Sequence, residues 1–338
     1  MPATLLQIEP LESTAPLIGI AKLAAAGESL RQGHDVEYFT LPTRAILNRC
    51  VSKMKLPFTW TINPYRGCEF ACKYCYARYT HEFMEMRDGV DFERKIYVKK
   101  QTAWLLRRDL KQVKPGEQIA IGTATDPYQP AERRFEVTRG ILEEFARHRG
   151  LELGIVTKSD LIVRDIDLLC EIARHNSLYV SITVTTTNTR LARILEPRAP
   201  RSDLRLQAIA KLVQAGLNAG VICSPVMPGI TDSPASLDKV VRGAKDAGAR
   251  YVYANSMFLK PCSASVFLPF LEKEFPQLVE SYRRRFGDRA FVSKAYRERL
   301  SALMSSLRQK HGMKKQMFDR KSVSAEYRAE DVQMALFG

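Results

Sequence analysis

The sequence predicts an α/β protein: a partial (β/α)6 barrel of the TIM type, with an N-terminal lead-in and a helical, basic C-terminal extension. Six runs rich in β-forming residues alternate with helical stretches, the pattern of βα units on a parallel sheet. The repeat count is six and not the eight of a closed barrel, so the barrel is expected to be open. The chain of 338 residues suffices for a sizeable core, and its 45% hydrophobic and 26% charged content is that of a globular protein.

Residues 1–58 form the lead-in and carry no recognisable chemistry. Within it, 4–16 read as a tail, 18–30 as a short helix, and 36–47 as an extended stretch that turns briefly helical. The barrel is assigned to 59–256. Residues 59–65 alternate and are rich in β-formers, giving the first strand, and 71–84 are expected to be helical. The amphipathic stretch 102–111 contributes Trp104, Leu105 and Leu106 and stops at Pro115-Gly116. Residues 118–124 give the second strand, and 138–148 a helix with Ile141, Leu142 and Phe145 on one face, ended by Gly150. The third strand is 151–157, followed by a helical stripe of Ile162, Ile166, Leu169 and Ala173. The fourth strand, 178–185, is strongly β-branched, and the helix 203–215 after it buries Leu206, Ile209 and Val213. Residues 217–223 form the fifth strand, closed by Ser224-Pro225 and Pro228-Gly229. Ser233 and Pro234 supply an N-cap and an N1 proline to the next helix, which Gly248 ends. The sixth strand is 250–254. The extension, 257–310, reads as two helices at 265–286 and 290–310. Residues 311–338 read as a loosely structured basic tail with an apolar end.

The net charge is +15, and it is unevenly placed. Residues 281–330 hold fourteen Lys and Arg against five Asp and Glu, and a second cluster runs through Arg94, Lys95, Lys99, Lys100, Arg107, Arg108, Lys111 and Lys114. Such patches suit a polyanionic partner, DNA or RNA, because each neutralised phosphate releases a counterion. A solvated surface on a basic protein is the alternative. No apolar run approaches the length of a membrane span and no signal pattern opens the chain, so no membrane partner and a cytoplasmic location are expected.

The chemistry is concentrated in Asn63-Pro64-Tyr65-Arg66-Gly67-Cys68-Glu69-Phe70-Ala71-Cys72-Lys73-Tyr74-Cys75-Tyr76. Three of the seven cysteines fall here with C-x3-C-x2-C spacing, so their sulfurs must converge on one small object. Three thiolates are one short of the set that holds a [4Fe–4S] cluster, which leaves one iron open to another ligand. Zinc is the competing reading: Cys72-x2-Cys75 has zinc spacing, and Cys68 with His81 or Cys50 completes four ligands.

With Tyr76 directly after the third cysteine, the stretch resembles the radical S-adenosylmethionine (radical SAM) enzymes. The resemblance implies a [4Fe–4S] cluster on Cys68, Cys72 and Cys75, with SAM chelated at the open iron through its amino and carboxylate groups. It also implies reductive cleavage of SAM to a 5′-deoxyadenosyl radical and an electron donor of the flavodoxin or ferredoxin type. An open (β/α)6 barrel with the cluster loop after its first strand belongs to the same resemblance. Residues 63–68, the loop Gly122-Thr123-Ala124-Thr125-Asp126-Pro127-Tyr128-Gln129-Pro130, and Thr157-Lys158-Ser159-Asp160 look like the group related to spore photoproduct lyase, a DNA repair enzyme. That likeness implies roles for particular residues. Tyr76 packs by the cluster and offers its backbone to the adenine. Gly122 and Thr123 stand where the superfamily binds the SAM amino group, although its usual Gly-Gly-Glu is absent. Lys158 and Arg205 are candidates for the SAM carboxylate, and Ser181 and Thr183 for the ribose hydroxyls.

One departure matters. Spore photoproduct lyase places a donor cysteine in a Cys-Thr-Ser-Asp stretch, where this chain has Thr123-Ala124-Thr125-Asp126. Tyr128, Cys223 and Cys262 are the substitute hydrogen donors to consider. Three readings compete: a radical SAM enzyme acting on nucleic acid, one modifying a protein or small molecule, and a zinc-stabilised nucleic-acid-binding module without catalysis. Finally, Gln333-Met334-Ala335-Leu336-Phe337 looks like the peptide by which bacterial DNA-processing proteins dock on the sliding clamp, with Met334, Leu336 and Phe337 as apolar anchors. The alternative is that these residues fold back on the barrel.

Overall fold

The structure, a computed structural model, describes residues 16–33, 35–50, 57–287 and 289–313. The peptide at 333–337 and most of the N-terminal tail lie outside the described residues. Six strands run parallel in one sheet: β1 (Trp60–Ile62), β2 (Gln118–Ile121), β3 (Glu152–Thr157), β4 (Ser177–Thr183), β5 (Asn218–Val226) and β6 (Val252–Ser256). They lie in chain order, and Leu47–Arg49 adds an antiparallel edge beside β1. Among the described residues the sheet does not close on itself, so the expected open six-stranded barrel is what the chain forms.

The strand pairing divides the sheet into two faces, since directly paired residues share a face and neighbours along a strand alternate. Ile62, Ile121, Ile155, Val180 and Val221 belong to one face, each 0–1% exposed. This is the face that the apolar stripes of the helices need to bury, and each fully buried aliphatic side chain there contributes about 1.5–3 kcal/mol. The opposite face carries Ala120, Gly154, Val156, Ser181, Thr183, Gly220, Ile222 and Tyr253, and lines the barrel interior.

A second sheet, with strand order Ser29–Gly33, Val36–Leu41, Lys95–Lys99, Tyr65–Arg66, takes in the residues that directly follow the C-terminal end of β1. The lead-in thus contributes strands to both sheets. Its predicted helix is confined to Gly19–Ala25, and the chain turns to strand from Ser29. The expected brief helix near 47 is the edge strand instead.

Two further expectations are corrected. Residues 71–84 are not one helix: a coil with Ala71 at φ +56° leads to a 3-10 turn Tyr76–Arg78 and the short helix Tyr79–Glu82. A continuous helix would fan the cysteines around a cylinder, whereas the coil gathers them on one loop. The stretch 265–286 is broken at Phe275-Pro276, separating Pro261–Glu274 from Val279–Phe286, because a proline lacks the N–H that would continue the ladder. The last helix, Lys294–His311, lies on Pro234–Asp246. There Lys310 Nζ and His311 Nε2 reach Asp238 at 2.8 and 2.9 Å, and Tyr282, Phe286, Tyr296, Leu300 and Met304 join the core of the barrel. No described helix is long and apolar enough to cross a membrane.

Candidate active site

The cysteine loop leaves the end of β1 through Tyr65–Arg66, and its backbone is pinned from several directions. Gly67 turns it at φ +84°, where a Cβ would stand 2.7 Å from the Lys95 carbonyl and 2.9 Å from that of Phe92. The Cys68 N–H donates to Phe92 (2.9 Å) and the Lys73 N–H to Leu195 (2.9 Å). Arg78, paired with Glu93 at 2.7 Å, donates to the Cys72 carbonyl at 3.0 Å, and Ser263 Oγ donates to that of Cys75 at 3.1 Å. These bonds tie the loop backbone to Phe92, Leu195, Arg78 and Ser263.

A second loop, 122–130 after β2, is woven into the first. Gly122 has φ +88°, and a Cβ there would meet the Val156 carbonyl at 2.5 Å. Asn63 Oδ1 accepts from the Ala124 N–H at 2.8 Å, and Thr125 Oγ1 donates to the Gly67 carbonyl at 2.6 Å. Gln129 accepts from the Glu69 N–H (3.0 Å) and donates to Gly67, while Glu69 Oε1 accepts from the Ala131 N–H at 2.7 Å. Asp126 ties in β3, accepting from Thr157 Oγ1 (2.6 Å) and from the Lys158 N–H (2.7 Å). Burial raises its pKa and these hydrogen bonds oppose the shift.

The three thiols lie close enough to act on one another. Burial pushes the Cys68 thiol well up, and Asp126, Cys72 and Cys75 add to it; burial pushes Cys72 up to about 12, with Lys158 opposing. The Phe70 and Ala77 N–H groups favour the thiolates of Cys68 and Cys75. Such sulfurs ionise when a metal binds them, since a coordinated thiol loses its proton. Among the described residues, however, no group of three or more His, Cys, Asp or Glu side chains converges on a single-ion site. His81 is turned away, its Nε2 3.0 Å from the Lys95 carbonyl and its ring between Phe92 and Tyr97. Three thiols on one short loop, without His81, are the donor set of a four-iron cluster that keeps one iron open.

Lys158 stands beside this loop, its Nζ 5.7 Å from the centroid of the Tyr74 ring. Burial works against its charge, but Cys72, Glu196, Asp126 and Cys75 outweigh it and hold the ammonium above its ordinary range. Glu196 is a residue that sequence reasoning missed. It is 1% exposed and accepts from Tyr74 Oη, from Thr185 Oγ1 at 2.9 Å and from Arg205 at 2.5 Å. Burial would raise its pKa, yet Arg205 and Lys158 hold it below the usual carboxylate range. Its only sequence signal was a turn-forming Glu-Pro-Arg. Arg205, expected to meet a carboxylate, already carries one, and also donates to the Pro200 and Thr183 carbonyls at 2.8 and 3.1 Å.

The other candidates divide by register. Ser181 and Thr183 share the interior face, as expected, but Ser181 Oγ is engaged with Tyr251 Oη at 2.8 Å. Cys223 follows Ile222, the partner of Thr183, so it belongs to the helix-facing row, 0% exposed. It is not brought together with Ser181 and Thr183. Tyr128 is 1% exposed, and the charges acting on its hydroxyl are Asp165, Glu132 and Arg164, an ion network of the helical layer. Cys262 does lie at the loop, its Sγ 4.0 Å from the Tyr76 carbonyl. Tyr76 itself donates to the Thr123 carbonyl and packs its ring 5.2 Å from that of Phe258, joining the two loops.

Comparison with known proteins agrees with this geometry. The model of the radical SAM superfamily matches residues 62–240. An uncharacterised protein of Mycobacterium tuberculosis is 35% identical over 265 residues, 78% of each chain. One of Methanocaldococcus jannaschii is 27% identical over 243 residues, covering 72% of this chain and 86% of its own. Among solved structures, a variant of spore photoproduct lyase with bound AdoMet and dinucleoside spore photoproduct superposes with a TM-score of 0.58 at 15% identity. The match covers 81% of this chain and 79% of that one, and is a likeness of fold. With the cysteine loop at the mouth of an open barrel, the match over most of the barrel means that this chain belongs to the radical SAM superfamily, whose enzymes use a [4Fe–4S] cluster and SAM.

Proposed function

We propose that the chain is a radical SAM enzyme acting on nucleic acid, with its cluster on Cys68, Cys72 and Cys75 and SAM in the barrel mouth. When bound, cluster and SAM together supply a carbon radical that abstracts hydrogen from a substrate. The residues do the rest. Lys158 neutralises the SAM carboxylate: its ammonium faces Cys72 and Cys75, and unlike Arg205 it is not committed to a carboxylate in a salt bridge among the described residues. Gly122 and Thr123 border the SAM amino end, the Thr123 carbonyl already accepting from Tyr76, and Tyr76 holds the edge where the adenine lies. Thr183, on the interior face, is the ribose contact, with Ser181 deeper and shared with Tyr251. Arg205 acts through Glu196, fixing Tyr74 and the field around Lys158, and so is a positioning residue. Cys262 is the hydrogen donor in this reading, which its contact with the Tyr76 carbonyl supports.

The observation that carries the nucleic-acid reading is the exposed arginine row Arg283, Arg284 and Arg285 with Arg289, Lys294 and Arg299, on and between helices packed against the barrel. The bound dinucleoside of spore photoproduct lyase, which shares the fold, supports the same reading. A one-electron donor is required, as for radical SAM enzymes in general. The test is to incubate reduced, iron-reconstituted enzyme with SAM and oligonucleotides deuterated in the sugar or thymine methyl positions. Deuterium in 5′-deoxyadenosine is the expected result. Its absence with every DNA and RNA probe, while SAM is still cleaved, would turn the reading toward a protein or small-molecule substrate.

A further inference from the structure

A second group of cations adjoins the cysteine loop without a role in holding SAM. Arg66 lies directly opposite Tyr97 in the antiparallel pair of the second sheet, so Lys99, two residues along, is its diagonal neighbour on the same face. Lys99 is 7% exposed, and among the described residues its ammonium has no hydrogen bond or ion pair. Burial, and then the Arg66 charge, push its pKa down to about 7. Arg66 donates from Nη1 to the Thr80 carbonyl at 3.2 Å, but its buried Nε has no partner among the described residues. Tyr79 lies within the field of Arg66, and Lys260 Nζ is 5.5 Å from the centroid of its ring. Phe83 packs edge-on against that ring with centroids 5.6 Å apart and is 60% exposed.

Two like charges held together away from water repel each other and have lost hydration, and among the described residues no carboxylate forms an ion pair with either. An arriving anion would. A planar guanidinium beside a point ammonium suits a group with several oxygens, and an exposed aromatic ring next to such cations is how single strands are held without sequence preference. We propose that Arg66 and Lys99 form a phosphate-binding site, occupied by the phosphodiester beside the nucleotide that enters the barrel, with Phe83 stacking on a neighbouring base. Arg66 is two residues from Cys68, so a phosphate held there places the adjoining nucleotide at the barrel mouth. This rests on the nucleic-acid reading for its occupant, though not for its phosphate chemistry.

The test uses the full, iron-loaded protein and Lys99→Met, which keeps the length of the side chain and removes the charge. Binding of short fluorescent oligothymidylate and oligouridylate is followed across a salt series, and thermal stabilisation by inorganic phosphate is measured in parallel. Lys99→Met is expected to weaken binding roughly tenfold and to lower the salt slope by about one. It should also abolish stabilisation by phosphate, with a melting temperature no lower than that of the wild type. Phe83→Ala should weaken oligonucleotide binding and leave the phosphate response intact. If the wild type binds neither oligonucleotide but phosphate stabilises it through Lys99, the site takes a free phosphate group and the nucleic-acid reading falls. Unchanged oligonucleotide affinity, salt slope and phosphate response in Lys99→Met would overturn the proposal while leaving the nucleic-acid reading in place.

Discussion

At Lys158 two opposing effects act on one ammonium: burial disfavours its charge, and Cys72, Glu196, Asp126 and Cys75 favour it more. A methionine in its place should weaken SAM binding roughly ten- to a hundredfold, the worth of a charge-assisted hydrogen bond of about 1.5–3 kcal/mol, without loss of iron. Equilibrium binding of SAM to reconstituted protein checks this. Arg205→Ala should behave differently. It strands Glu196, 1% exposed, as an unpaired buried carboxylate, so about 3–5 kcal/mol of stability should be lost and the melting temperature should fall. Cys72→Ala should lose its iron, and Cys170→Ala should keep it, since Cys170 lies in the helix Ile166–His175 and contacts the Ala215 carbonyl. His81 offers a pH test. Burial holds its pKa at about 4 instead of 6.5, so the unfolded chain takes up a proton first as the pH falls. The stability that neutral His81 contributes is present above pH 6.5 and is lost toward pH 4, on the order of 2 kcal/mol of it by about pH 5. Urea unfolding across this range should show the loss, and His81→Phe should flatten it.

Among elements, the loop 122–130 is the one on which the site depends. It is held by Asn63, Thr125, Asp126 and Gln129, and its entry requires a residue without Cβ. Gly122→Ala combines positive φ with a 2.5 Å approach to the Val156 carbonyl, so it should cost more than about 1 kcal/mol and loosen SAM binding as well. Gly140 provides the contrast. It lies in the helix Val137–Phe145, and among the described residues nothing beyond its chain neighbours and the helix's own backbone stands within 4 Å of the place a Cβ would take, so Gly140→Ala should be neutral or stabilise by up to about 1 kcal/mol. Thermal melts of the two variants side by side separate a demand of the site from a general effect of glycine.

For the whole molecule, the net charge of +15 is concentrated on the C-terminal helices and the chain that follows them. If those helices track a nucleic-acid backbone, oligonucleotide affinity should fall steeply with salt, and neutralising Arg283, Arg284 and Arg285 together should lower the slope by about two to three. The terminal peptide belongs to the same scale. A peptide spanning 330–338 should bind a bacterial sliding clamp with roughly micromolar affinity, and replacing Leu336 and Phe337 by alanine should abolish that binding without shifting the melting temperature of the full chain. A lower melting temperature with no clamp binding would assign the peptide to the fold.

The sequence by itself determined the order of the six strands, the class of the barrel and the loop with the three cysteines, because alternation, helical stripes and cysteine spacing are local signals. It also placed Ser181 and Thr183 on one face, which follows from the period of two along a strand. Tertiary structure decided which face that was, and put Cys223 on the other side of the sheet, since register with β4 is a relation between strands. It decided that residues 71–84 are not a helix, where the need to gather three thiols overrides local preference. It alone joined Glu196 to Tyr74 and Arg205, and Arg66 to Lys99, through partners between nine and 122 residues apart in the chain. Charges that far apart in sequence show no pattern along it, and only folding fixes which of them are paired and which are left to meet a ligand.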